Sequence, residues 1–232
     1  MKNNKDIGPI ELFGVKIVNL TSYFLCRLIL KTKRARVSVD QSLFHYDTPN
    51  QPLIMISNHT SIFDSWFICA SIPFKTFLKI MPIRIMGATN FREPTARFLD
   101  KLGIVKLIYH LYGVVPFRRE WTFEEKLAPL ITCLKKGSTI LIFPEGHVKK
   151  DEGIDPFKRG VVYVYKATLA KILPIAIRPA RQRGERLSTR LGPINSIPPE
   201  ILASEDPSDP FYTQTCNYLH QLVLSLYNKV RV

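Results

Sequence analysis

Polar side chains recur at Lys16, Asn19, Tyr23, Arg27 and Lys31, at steps of three and four. That spacing puts them on one face of a helix predicted from Leu12 to Lys31. Leu12, Phe13, Val15, Val18, Phe24, Leu25 and Leu28 cover much of the rest. A wide apolar surface with a narrow basic stripe fits a helix lying in a membrane interface; a core helix is the alternative. The run Lys31-Thr32-Lys33-Arg34-Ala35-Arg36 follows and would attract anionic headgroups. The longest charge-free run in this apolar part is Ile17 to Cys26. A crossing needs about 20 residues, so the helix is expected to dock rather than span. A secretory signal is not expected either, because no small-residue cleavage site follows a short apolar run.

From about residue 50 the pattern alternates between short apolar runs and helical periodicity. Leu53 to Ser57, Thr76 to Ile80, Val114 to Phe117, Thr139 to Phe143 and Leu173 to Ile177 read as strands. Ser61 to Ala70, Pro94 to Leu102, Phe123 to Lys135 and Gly160 to Lys171 read as helices. Pro179 to Pro210 is rich in proline, arginine and serine and reads as loop, and Phe211 to Lys229 as a C-terminal amphipathic helix. The expectation is one α/β domain, residues 37–232, with a central, mostly buried mixed sheet flanked by helices. Residues 1–36 form the N-terminal membrane-interface helix and its basic segment.

The formal charge of +14 adds a polyanionic partner to this picture. The aromatics are not interleaved with the basic residues as a base-stacking platform requires, which favours an anionic membrane surface over nucleic acid. Cys26, Cys69, Cys133 and Cys216 are far apart and read as reduced thiols. No histidine or cysteine pair has metal-ligand spacing, so no metal site is expected.

The candidate chemistry begins at Asn58-His59-Thr60-Ser61-Ile62-Phe63-Asp64, where a predicted strand meets a predicted helix. Positions five apart in a continuous helix diverge by about 140°. His59 therefore belongs in the loop and Asp64 in the first helical turn. From there the carboxylate accepts Nδ1–H and leaves Nε2 as a base. Ser61 and Asp64 also have the spacing of a helix capping box, which is the structural alternative. Gly-x-Ser-x-Gly is absent, so the proton that His59 takes is expected to come from the substrate. A second stretch, Gly113 to Arg119, ends a predicted strand in two arginines, suited to a phosphate or simply solvated. A third, Phe143-Pro144-Glu145-Gly146, places Glu145 at a strand end as an acceptor for substrate hydroxyls or a partner for Arg119. An ordinary turn with an exposed acid is the alternative there. Phe157-Lys158-Arg159-Gly160 and the proline-bearing strand around Pro174 follow.

In this order the motifs resemble the glycerolipid acyltransferase family, which includes 1-acylglycerol-3-phosphate acyltransferases. The resemblance covers about residues 50 to 180. It implies acyl transfer from acyl-CoA or acyl-carrier protein to a lipid hydroxyl, most simply that of lysophosphatidic acid, without a cofactor. It makes His59 the general base and Asp64 its orienting partner. Arg119 becomes the phosphate contact, Glu145 and Gly146 the acceptor-binding pair, and Lys158 a lysine near the same site. It also implies attachment to the cytoplasmic face of a membrane, and ties the strand around Pro174 to the acyl pocket. Where the family commonly continues Phe-Pro-Glu-Gly-Thr-Arg-Ser, this chain has His147-Val148-Lys149-Lys150. That departure leaves a different lipid acceptor open, and lysine does not reproduce the planar fork of arginine. A thioesterase, with water at His59, is the hydrolytic alternative.

Overall fold

The computed structural model describes residues 9–46, 51–88, 94–118, 120–182, 184–201 and 210–230. Among them seven strands form one mixed sheet in the order β1-β7-β6-β2-β5-β3-β4. The strands are β1 (Arg36–Val39), β2 (Leu53–Ser57), β3 (Ile83–Ala88), β4 (Val115–Phe117), β5 (Thr139–Ile142), β6 (Lys171–Arg178) and β7 (Ser188–Leu191). The strands β6, β2, β5, β3 and β4 run parallel, and β7 pairs antiparallel to β6. All five residues of β2 are buried, as a strand covered on both faces must be.

Alternate residues of β2 serve opposite layers. Ile54 and Ile56 pack with α6 (Phe123–Lys135), α7 (Gly160–Thr168) and α8 (Pro210–Asn228) through Leu130, Val161, Leu219 and Val223. Leu53 and Met55 pack with α2 (Asp64–Ser71) and α3 (Phe74–Ile80) through Ile68 and Phe77, and with Ile72 between the two helices. The helix α6 starts where Thr122 and Glu125 close a reciprocal capping box.

Two expectations are corrected, and one helix is added. Thr76 to Ile80 is helical, within α3, with Thr76, Phe77 and Ile80 buried at one-sided helical spacing. The strand lies beyond it, at β3. A five-residue apolar run fits either period, and only the tertiary setting decides. The proline- and arginine-rich stretch holds β7, a short strand whose partners lie at Arg36–Val39 and Ile175–Arg178. Local propensity does not reveal a four-residue strand made by distant pairing. Finally, α4 (Pro94–Lys101) is followed by a further helix, α5 (Ile104–Tyr112), that the pattern reading left unassigned.

The N-terminal helix α1 (Pro9–Thr32) forms as expected, and its polar stripe is divided: Tyr23 is buried and Asn19 half-buried against the domain, Lys16 and Lys31 are exposed, and the exposed Arg27 reaches back to the domain. Tyr23 donates its hydroxyl proton to the carbonyl of Ile72 at 2.9 Å. Arg27 donates to the carbonyl of Ala70 at 2.9 Å, and Asn19 accepts the N–H of Ile83 at 2.9 Å. Phe13, Ile17, Phe24, Leu25 and Leu28 are left exposed. Over Phe13–Thr32 this helix is long and apolar enough to cross a membrane, by length and composition. An uninterrupted charge-free run is too strict a criterion here, because lone basic residues with long stems leave the rest of the helix apolar.

Candidate active site

Parallel pairing of β2 and β5 brings the loops that follow them to one end of the sheet. Ligands of open α/β sheets bind at such carboxyl ends. Asn58 extends the β2–β6 ladder with its side chain. It donates to the carbonyl of Ile177 and accepts the N–H of Ile177, each at 2.9 Å. Its amide therefore fixes the chain just before His59.

Asp64 is the first residue of α2 and is 1% exposed. Its Oδ2 accepts the N–H groups of Thr60 at 2.5 Å and Ser61 at 2.8 Å, and Oδ1 accepts the Thr60 hydroxyl at 3.2 Å. Nδ1 of His59 lies 3.0 Å from Oδ2. A buried carboxylate needs such donors to offset its lost hydration. With Asp64 ionised, Nδ1 carries the proton, and Nε2 holds the lone pair. Nε2 has no hydrogen-bond partner among the described residues, and the His59 side chain keeps 18% exposure. The ring stacks on Phe143 with centroids 3.9 Å apart and planes 14° apart, which fixes its tilt. Both readings of the motif have a share. Asp64 reaches back to the Ser61 N–H as a capping residue does, and it also holds His59. The other half of the box is missing, since the Ser61 hydroxyl accepts from Phe63.

The loop after β5 clamps the His59 backbone. Glu145 accepts the His59 N–H at 2.7 Å, and the His59 carbonyl accepts the N–H of Lys149 at 2.7 Å. The second Glu145 oxygen accepts the N–H of Asp155 at 2.9 Å. Glu145 is 1% exposed, and burial pushes its carboxyl above the ordinary range, against the pull of those two N–H donors. It was expected to meet substrate hydroxyls or Arg119. Both its oxygens are instead committed to backbone, so it ties the two loops together.

Gly146 follows with φ +72°, and a Cβ there would meet the Lys158 ammonium at 2.6 Å. Only glycine gives both the left-handed turn and this close approach. Lys158 is exposed and makes no ion pair among the described residues. Arg118 is also exposed, at the end of edge strand β4. Arg119, the expected phosphate contact, lies outside the described residues. Pro174 lies inside strand β6, where a proline-bearing strand was expected.

Sequence reasoning missed Asp155. Its carboxylate meets Nε2 of His147 at 2.9 Å and the Lys149 ammonium at 2.5 Å. The Lys149 hydrogen bond holds the Asp155 carboxyl below its usual range and raises the Lys149 ammonium above its own. No periodicity marks a loop acid, and only its place four residues after Asp151, in a run of charges, set it apart. Among the described residues no group of three or more His, Cys, Asp or Glu side chains could hold a metal ion.

The geometry sits inside a stretch with known relatives: residues 30–178 match the family model described as Acyltransferase. The chain belongs to the Acyltransferase family. It is 26% identical over 144 residues to a chloroplastic 1-acyl-sn-glycerol-3-phosphate acyltransferase, BAT2, of Brassica napus, across 59% of this chain and 36% of that protein. It is 26% identical over 140 residues to the chloroplastic 1-acyl-sn-glycerol-3-phosphate acyltransferase LPAT1 of Arabidopsis thaliana, across 59% and 35%. The match thus spans about a third of the length of these plant acyltransferases. The fold is that of the 1-acyl-sn-glycerophosphate (LPA) acyltransferase PlsC of Thermotoga maritima, with TM-score 0.63 at 17% identity, over 93% of this chain and 81% of that one.

Proposed function

We propose that this protein transfers a fatty acyl group from a thioester, acyl-CoA or acyl-carrier protein, to the free hydroxyl of lysophosphatidate. The observation that carries the reading is the free Nε2 of His59, on a ring whose Nδ1 is held by a buried carboxylate. The names of the plant relatives support the acceptor.

In this mechanism the acceptor hydroxyl gives its proton to Nε2 while its oxygen attacks the thioester carbonyl. The carbon–oxygen bond forms, the tetrahedral intermediate collapses, and the carbon–sulfur bond breaks. The thiolate leaves with the proton that His59 took. Asp64 stabilises the imidazolium between those steps without itself being protonated. A base of this kind supplies about 10²–10⁴ in rate. No acyl-enzyme is needed, which agrees with the lack of a nucleophile elbow. Lys158 over Gly146, with Arg119, would hold the phosphate.

Membrane attachment through α1 belongs to the same proposal. Asn19, Tyr23 and Arg27 fasten the helix to the domain, so its apolar face is the one offered to lipid. A helix fastened along its length lies with the domain at the surface, on the cytoplasmic face.

One observation favours a second reading. Lys149 stands near the place of the family's missing arginine, and its ammonium is neutralised by Asp155. An acceptor with less anionic charge, such as a glycolipid or a neutral lipid alcohol, fits that pairing. Labelled oleoyl-CoA given to the purified protein with lysophosphatidate, a lysoglycolipid or no acceptor separates the readings. Labelled phosphatidate, lost in His59→Ala, supports the proposal. Acylation of the glycolipid alone supports the second reading. Thioester loss indifferent to acceptor contradicts both and indicates a hydrolase.

A further inference from the structure

The helix α5 carries Ile104, Leu107, Ile108 and Leu111 at positions i, i+3, i+4 and i+7, and all four are exposed. No residue of this helix is buried. An undocked helix would explain that, but α5 is fastened on its other side. Val105, Tyr109 and Tyr112 are half-buried there. Tyr109 lies so close to β3 that a Cβ on Gly87 would meet its hydroxyl at 2.8 Å. The Tyr112 hydroxyl accepts from Ser22 of α1 at 3.0 Å. The aliphatic stripe therefore points away from the domain in the docked state.

The stripe does not stand alone. Phe98, Leu99 and Leu102, at the end of α4 and just beyond, are exposed too. On the other side, the Tyr112 ring lies 5.6 Å from Trp66, and Trp66 lies 5.5 Å from Phe63. Phe63 and the 74%-exposed Ile62 sit between His59 and Asp64 in the catalytic loop. Contacts thus lead from α1 through α5 to the loop that holds His59. Exposed Lys101 and Lys106 accompany the stripe, on a chain of charge +14. Apolar residues flanked by lysines suit an anionic bilayer surface better than a protein partner.

We propose that α5 is a second membrane-docking helix. It inserts its Ile104–Leu111 stripe into the leaflet beside α1 and seats Ile62, Phe63 and so His59 at headgroup depth. This rests on the lipid-acceptor reading above. Two anchors on different elements fix the tilt of the domain, which one helix leaves free.

The test uses the purified full chain and vesicles of phosphatidylcholine and phosphatidylglycerol. Leu107→Ser/Ile108→Ser is compared with wild type by co-flotation, and by acyl transfer both on vesicles and in detergent micelles. Each lost aliphatic anchor is expected to weaken vesicle binding about tenfold. Transfer on vesicles should fall with it, while transfer in micelles and the melting temperature stay at wild-type values. Wild-type flotation of the double variant would overturn the proposal. So would a change in mass by light scattering with unchanged flotation, which would give the stripe to a second copy of the chain. If the serine variant unfolds, Lys106→Glu serves instead, with salt-sensitive loss of flotation expected and unchanged flotation overturning. A wild-type protein that transfers no acyl group to any lipid would instead defeat the reading on which this rests.

Discussion

Two histidine–aspartate pairs lie on adjoining loops, and their distances are nearly the same. His59 and Asp64 meet at 3.0 Å, His147 and Asp155 at 2.9 Å. Their surroundings differ. Asp64 is buried under four donors, whereas half of the His147 side chain is open to solvent. More telling is what each imidazole has left. His59 uses Nδ1, and its Nε2 is free of partners among the described residues. His147 uses both nitrogens, Nδ1 toward the Glu145 carbonyl at 3.1 Å and Nε2 toward Asp155. Both ring nitrogens of His147 thus already face acceptors, and neither is left open to a substrate hydroxyl. A short distance between histidine and carboxylate is therefore not a base. A free nitrogen beside a held one is what the proposed role of His59 requires.

The largest effect that this contrast predicts is at His59. His59→Ala should lower acyl transfer by about 10²–10⁴ without unfolding the domain, read as initial rate and melting temperature. Asp64→Asn comes next, at up to about 10⁴ in rate, because an amide no longer fixes the tautomer. It should also lower stability by about 1–3 kcal/mol, since the Thr60 and Ser61 N–H groups lose a charged acceptor. Chemical denaturation measures that loss. A variant with full activity would erase the distinction between the two pairs.

How far the sequence foretold this contrast depends on the range of each contact. His59 and Asp64 are five residues apart, and the geometry of a helix start dictates their meeting. The Phe-Pro-Glu-Gly stretch stood out as a motif at a strand end, but not the part Glu145 plays. Its oxygens bind N–H groups 86 residues upstream and 10 downstream, and only the β2–β5 register brings the former near. Asp155 was invisible for a different reason, since its contacts are only six to ten residues away but lie in a loop that no periodicity marks. The polar stripe of α1 holds as a periodicity but is split by its setting, since Lys16, Arg27 and Lys31 stay exposed while Tyr23 is buried and Asn19 half-buried. Periodicity gives a face, while its direction depends on carbonyls at Ala70 and Ile72 that need partners.

Asp155→Asn should have a smaller effect on rate, under about tenfold, because its backbone N–H still reaches Glu145. Its signature is in stability against pH. The Lys149 bond lowers the Asp155 carboxyl in the folded state. The stabilisation is therefore present above the ordinary carboxylate range and lost as pH falls through the lowered folded value. Melting temperatures of wild type and variant should differ at neutral pH and converge in acid. The smallest effect is expected at His147. His147→Ala should change the rate by about threefold or less, measured on the same lysophosphatidate assay.

The placement of protons on the His59 ring tests the account most directly. Long-range proton–nitrogen spectra of histidine-labelled protein, with the two rings assigned through the His59→Ala and His147→Ala variants, report every imidazole nitrogen. A proton on Nδ1 and a bare Nε2 are expected at neutral His59. A proton on Nε2 of neutral His59, with Nδ1 bare, would contradict it.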